Sequence, residues 1–131
     1  MNPEIVMILR LLLAAALGAI SGYQRERAGK PAGLRTHTLI CIGAALFTIA
    51  SLYGFGGADP ARIAAGIVTG IGFLGAGAII RTREHIVGLT TAASIWAVAA
   101  IGLAAGAGLY LTSVVTTAVI LIILFLPHPI R

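Results

Sequence analysis

Gly70-x-Gly72-x-x-Gly75 has the spacing of a dinucleotide-binding turn. That chemistry needs a strand before the glycines, a helix opening after them and an acidic residue further on, so that a pyrophosphate meets free backbone N–H groups. Here the glycines lie inside an uncharged apolar run, 63–80, with apolar runs on either side. The spacing therefore reads as helix packing and not as a nucleotide site. The carboxylates are next. All four, Glu4, Glu26, Asp59 and Glu84, fall at the ends of apolar runs, and none sits midway along one. Magnesium is usually held by carboxylates and retained water, and proton relays through a membrane use buried acids. A single copy of the chain is thus poorly equipped for either, although several copies could pool carboxylates at an axis. Ser21, Ser51, Ser94 and Ser113 have no arranged acid–base partner. No GxxxxGK[ST] phosphate loop occurs. His37 and His85, with Glu84, lack the ligand spacing of a metal site. The expectation is no catalytic residues, no metal ligands, no cofactor and no enzyme.

The cations carry the remaining chemistry. Arg10 lies two turns inside the first apolar run, where an unpaired charge is costly. Either its long stem carries the guanidinium to the membrane surface, or it pairs with Asp59. The second reading gives an outer polar cluster of Arg10, Asp59 and Arg62, with Glu4 nearby; the competing role for Asp59 is a helix cap. At the other face stands a basic patch of Arg25, Arg27, Lys30, Arg35, Arg81 and Arg83, with Glu26, His37, Thr90 and Thr91 on the same side. The patch reads as a topology signal in contact with anionic lipid headgroups, or as a dock for a phosphate-bearing ligand or acidic loop. His37 is expected to hydrogen-bond near the start of the second helix.

These residues must be positioned by membrane helices. The 131 residues are 59% hydrophobic and 10% charged, against about 25% charged in a soluble domain. Apolar runs cover about 5–23, 36–53, 63–80, 89–106 and 109–126, each near the roughly 20 residues that span a hydrocarbon core. They are too long and too unalternating for barrel strands. The first run resembles a signal sequence but reads as an uncleaved helix, since four more runs follow. The last two are separated only by Ala107-Gly108, so that turn must be tight. Asn2-Pro3 and Asp59-Pro60 mark helix starts, a capping side chain followed by proline. Arg35 or Thr36 is expected to open the second helix, and Thr90 or Thr91 the fourth.

The basic loops fall between the first and second runs and between the third and fourth. The positive-inside rule makes them cytoplasmic, which leaves the N-terminus outside and the C-terminus inside. A weak repeat, Arg25-x-Arg27 with Gly33-Leu34-x-Thr36 and Arg81-x-Arg83 with Gly88-Leu89-x-Thr91, suggests two parallel helical hairpins plus a fifth helix. Chance similarity is the competing reading. Within 63–80, Gly66, Gly70 and Gly77 fall on one side of a helix, and Gly72 and Gly75 on roughly the opposite side. Small residues let membrane helices approach closely, so two glycine faces imply two close neighbours. The expected architecture is an all-α integral membrane bundle of about five transmembrane helices with helix 63–80 central. Cys41 and Trp96 read as packing residues.

Five motifs in order resemble the MgtC/SapB family over nearly the whole chain: Gly22-Tyr-Gln-Arg-Glu26, Gly29-Lys-Pro-Ala-Gly-Leu-Arg-Thr-His37, Asp59-Pro-x-Arg62, Gly70-Ile-Gly-Phe-Leu-Gly-Ala-Gly77, and Gly88-Leu-Thr-Thr-Ala-Ala93 followed by Trp96. The resemblance implies a bacterial inner-membrane protein linked to growth in low magnesium and to survival inside host cells. It also implies action by binding other membrane proteins, including ATP synthase. Where that family commonly has a glutamate, this chain has Gln24, and Glu26 is the nearest carboxylate. Many members carry a soluble C-terminal domain; the expectation for 1–131 is a single transmembrane domain with no such addition. The functional expectation is a protein of magnesium homeostasis that modulates a membrane transporter or ATPase; a small oligomeric transporter or channel for magnesium or another solute is the alternative. Expected partners are the lipid bilayer, a second copy in a homodimer and a membrane ATPase or transporter, with no nucleic acid.

Overall fold

The computed structural model describes residues 2–56, 59–81 and 86–127. It is an all-α membrane bundle of five helices. The helices are α1 (Pro3–Arg27), α2 (Leu34–Tyr53), α3 (Pro60–Gly77), α4 (Leu89–Gly106) and α5 (Tyr110–Leu124). A ribbon of two-residue strands, β1 (Ile80–Arg81) and β2 (Ile86–Val87), joins α3 to α4, with Ile80 opposite Val87. The helix starts follow from local chemistry. Asn2 Oδ1 accepts the Glu4 amide at 2.8 Å, and Asp59 Oδ1 accepts that of Ala61 at 3.0 Å. Each then has proline at the first helical position, where no N–H is needed. The cap at Asp59 starts α3 three residues before its apolar run. The two other starts differ from expectation: glycines, Gly33 and Gly88, occupy the N-cap positions of α2 and α4. Gly88 holds φ +88°, and a Cβ there would overlap the Ala78 carbonyl, so a side chain is excluded twice over.

The most enclosed helices are α4 and α2, not α3, and α2 lies between α1 and α4. Glycines on both neighbours bring it in. On α1, Gly18 and Gly22 face Cys41 and the 33–37 turn, where added Cβ atoms would come within 2.7 Å of Cys41 Cβ and 2.8 Å of the Gly33 carbonyl. On α4, Gly102 lies against the Cys41 carbonyl, and a Cβ on Gly106 would come within 2.6 Å of the Ala45 carbonyl. Each pair is a Gly-x-x-x-Gly step, which puts both glycines on one helix face. Cys41, Ala44 and Ala45 present the matching small surface, and all are buried. Val98, Ile101 and Ala105 of α4 and Ala14 and Leu17 of α1 complete the core.

This corrects the expectation for 63–80. Along α3 only Ile67 and Gly75 are buried. Gly75 meets Ala92 of α4, but added Cβ atoms on Gly66, Gly70, Gly72 and Gly77 would find nothing within 4 Å. Four of the five glycines assigned to packing therefore pack against nothing among the described residues. The physical reason is competition. Close approach needs small residues on both helices, and α2 finds them on α1 and α4. Trp96 is also corrected: it is 54% exposed, on the outside of α4.

Four helices are long and apolar enough to cross a membrane, and α5 has 15 residues. It still runs beside α1. Its first residue, Tyr110, bonds Arg10, and its last, Leu124, accepts from Gln24 at 3.5 Å.

Candidate functional site

Polar groups sit in two layers at opposite ends of the core, and α1 contributes an arginine to each. Arg10 and Arg25 are fifteen positions apart, roughly 22 Å at the helical rise. Between them the buried residues of α1 are apolar or glycine except for Ser21, whose hydroxyl donates to the Leu17 carbonyl at 3.1 Å; buried Thr48, Ser113 and Thr117 likewise bond carbonyls of their own helices.

Arg10 occupies the N-terminal face, at the level where α2 and α4 end and α5 begins. Its Nε–H donates to Tyr110 Oη at 2.9 Å. Its Nη1 donates to Tyr53 Oη at 2.9 Å and to the Gly106 carbonyl at 3.1 Å. The guanidinium carbon lies 5.5 Å from the Tyr53 ring centre and 5.7 Å from that of Tyr110. The Gly106 carbonyl is one of the acceptors a helix leaves open at its C-terminus, where the dipole favours a cation. The pairing with Asp59 is not realised: Arg10 reaches two phenols and a helix end, partly exposed at the level where three helices end, and Asp59 caps α3 instead. The three groups of the expected outer cluster are thus not joined through Arg10. Arg62 lines a groove between α2 and α3. The tyrosines were missed because a phenol 43 or 100 positions away leaves no local pattern.

Arg25 occupies the basic face, but it is not part of the surface patch. It is 3% exposed, and its Nη2 donates to the Thr91 hydroxyl in the first turn of α4. Its Nε is buried without a hydrogen-bond partner, as is the Oε1 of Gln24. Two residues along the same helix, Arg27 remains outside, over the Tyr23 ring at 5.9 Å. His37 is fully buried. Its Nδ1 lies 3.1 Å from the Gly33 carbonyl and its Nε2 2.9 Å from Ser94 Oγ, which also lies 2.8 Å from the Thr91 carbonyl. The Ser94 hydroxyl donates to the Thr91 carbonyl, and the His37 ring bridges the Gly33 carbonyl on α2's cap to Ser94 Oγ on α4. Arg25, Thr91, Ser94 and His37 thus join α1, α2 and α4 in one polar layer. Ser94 was missed as a partner because its role depends on the α2–α4 contact.

The other residues of this face are separate. Glu26 Oε1 accepts the Leu34 amide at 3.2 Å and so caps α2. Lys30, Arg35 and Thr90 are exposed. Arg81 lies on β1, and Arg83, with Glu84 and His85, falls outside the described residues. Among the described residues no group of three His, Cys, Asp or Glu could hold a metal ion. Glu4, Glu26 and Asp59 are all exposed.

Residues 11–131 match the family model described as the MgtC family. The chain belongs to the MgtC family. Among its relatives is the Escherichia coli (strain K12) protein named "Putative magnesium transporter YhiD", 52% identical over 130 residues, which cover 92% of this chain and 60% of YhiD. "Protein MgtC" of Brucella abortus (strain 2308) is 44% identical over 117 residues, covering 89% of this chain and 49% of that protein. A Haemophilus influenzae protein is 41% identical over 132 residues, covering 92% of this chain and 56% of its own. This MgtC-family chain therefore spans about half to three-fifths of the length of these relatives. No solved structure matches it.

Proposed function

We propose that this chain is a non-enzymatic protein of magnesium homeostasis that works by docking onto another membrane transporter or ATPase, with α3 as the docking helix. The observation that carries the reading is the outward glycine face of α3. Gly66 and Gly70 line a groove of about 760 Å³ between α2 and α3, with Gly43, Phe47 and Leu74. In lipid, glycine-lined helix faces gain contact energy when a second helix packs closely on them. A second copy of the chain can use the same face, which supports a homodimer. The setting proposed is the bacterial inner membrane, with the N-terminus outside, from the charge of the loops.

The two arginines support modulation over passage through one protomer. A divalent cation entering from the basic face between α1, α2 and α4 meets buried Arg25 beside the positive ends of α2 and α4. At the other end it meets Arg10. Arginines and helix ends placed this way act as barriers to cations. The name given to YhiD favours a second reading, transport of magnesium. A path between copies, along α3, would be the form compatible with these barriers.

The test is a pair of measurements on the full chain. Purified protein in sealed vesicles with a magnesium-sensitive dye inside should give no flux above empty vesicles. A cysteine at Gly70 should cross-link in native membranes to another membrane protein or to a second copy. Flux driven by the purified chain alone would reject the modulator reading.

A further inference from the structure

We propose that Arg10 holds the phosphodiester of a membrane phospholipid, one acyl chain of which lies in the groove between α1 and α5. Two independent features meet at Tyr110. The first is the charge. Three acceptors surround the guanidinium, Tyr110 Oη, Tyr53 Oη and the Gly106 carbonyl, and all are neutral. They engage Nε and Nη1. Nη2 lies at the Gly108 turn, where a Cβ would come within 2.9 Å of it and where φ is +90°. Arg10 is only partly buried, and the bonds to both tyrosines are exposed. The C-terminal ends of α2 and α4 supply partial negative charge. No carboxylate among the described residues supplies a full one at hydrogen-bond distance. A phosphodiester does, through the strong, charge-assisted bonds guanidinium forms with phosphate oxygens.

The second feature is the groove. Val6, Leu9 and Leu13 of α1 and Leu111 and Val114 of α5 form its walls, Tyr110 sits at its head, and its volume is about 700 Å³. Its α1 wall spans roughly 10 Å of helix, from Val6 outside Arg10 to Leu13 inside it, and its α5 wall runs inward from Tyr110 to Val114. The level is right for a headgroup. Three helix ends lie beside Arg10, and its two tyrosines are the residue type that collects where hydrocarbon meets water. A cation and an apolar slot running past it, joined by one phenol, match a phospholipid better than either part matches anything alone. The site lies across the membrane from the basic patch and is separate from the α3 face.

The experiment is native mass spectrometry of the full chain, delipidated in mild detergent and then given defined ligands. With phosphatidylglycerol the expected result is one retained lipid per chain. Diacylglycerol, which lacks the phosphate, should not be retained, and millimolar inorganic phosphate should not displace the lipid. Arg10→Gln should weaken retention about tenfold, the scale of a lost charge-assisted bond. Val114→Trp fills the slot and leaves Arg10 in place; it should weaken retention comparably, and it keeps the test open if Arg10→Gln does not fold. Equal retention of diacylglycerol, displacement by inorganic phosphate, or undiminished retention in either folded variant would overturn the proposal.

Discussion

Replace Gly106 with alanine, and the effect should be opposite to that of the same change at Gly70. At Gly106 the new methyl group would sit 2.6 Å from the Ala45 carbonyl oxygen, 3.0 Å from Ala45 Cα and 3.1 Å from Thr48 Cβ. Two of these atoms are backbone, so relief requires α2 and α4 to separate. Overpacking of this kind costs about 1–3 kcal/mol, and the helix preference of alanine returns roughly 0.5–1 kcal/mol. The net expectation is a loss of about 1–2 kcal/mol, on those two scales. At Gly70 an added Cβ would meet nothing within 4 Å among the described residues. Only the preference remains, and Gly70→Ala should be neutral or stabilising by up to ~1 kcal/mol. Thermal unfolding of the two variants in one detergent, under conditions that keep the chain monomeric, reads the difference directly. If Gly70→Ala lowered the midpoint as much as Gly106→Ala, α3 would be as tightly enclosed as α4, and the core would not centre on α2 and α4. In native membranes a bulkier change, Gly70→Leu, adds a functional readout: cross-linking through α3 should fall while the midpoint in detergent holds.

Three further outcomes follow from single contacts. Arg25→Met keeps the buried stem and removes a charge with no carboxylate bonded to it among the described residues, so thermal stability should hold or rise; a loss of ~3 kcal/mol or more would show that Arg25 has a charged partner, the usual penalty for breaking a buried pair. Cys41 is fully buried under Gly18 and Gly102, so a maleimide should label it only as the bundle melts, and rapid labelling of the folded protein would place α2 at the surface. Gly88→Ala forces a side chain into the left-handed region, a cost of about 1–2 kcal/mol, on top of overlap with the Ala78 carbonyl; a midpoint like the wild type would mean the α3–α4 ribbon is formed differently.

Some of this was readable along the chain. Asn2-Pro3 and Asp59-Pro60 specify their helix starts because a cap and its proline act within three residues. The apolar runs give the helices because a bilayer of fixed thickness demands a fixed length. The second and fourth helix starts were misplaced because their N-cap residues are glycines with no side chain to mark them, and the carboxylate that caps α2, Glu26, comes from α1. The repeat does mark equivalent places, since Gly33-Leu34 and Gly88-Leu89 both stand at a cap and first turn. Their backbones differ, however, and only Gly88 has positive φ. Arg25 and Arg27 look alike in sequence, but two residues turn a helix by about 200°. One therefore enters the core and the other stays at the surface.

Composition, apolar run length and local capping thus determined by themselves that this chain is a helical membrane bundle, and where α1 and α3 begin. Tertiary structure alone decided which helices stand at the centre and which arginine is buried. Both depend on the choice of partner helix. Gly18, Gly22, Gly102 and Gly106 carry the same spacing as Gly66 and Gly70. Only the small, complementary surface of α2 selects between them, and that complementarity belongs to pairs of surfaces and not to any one stretch of sequence.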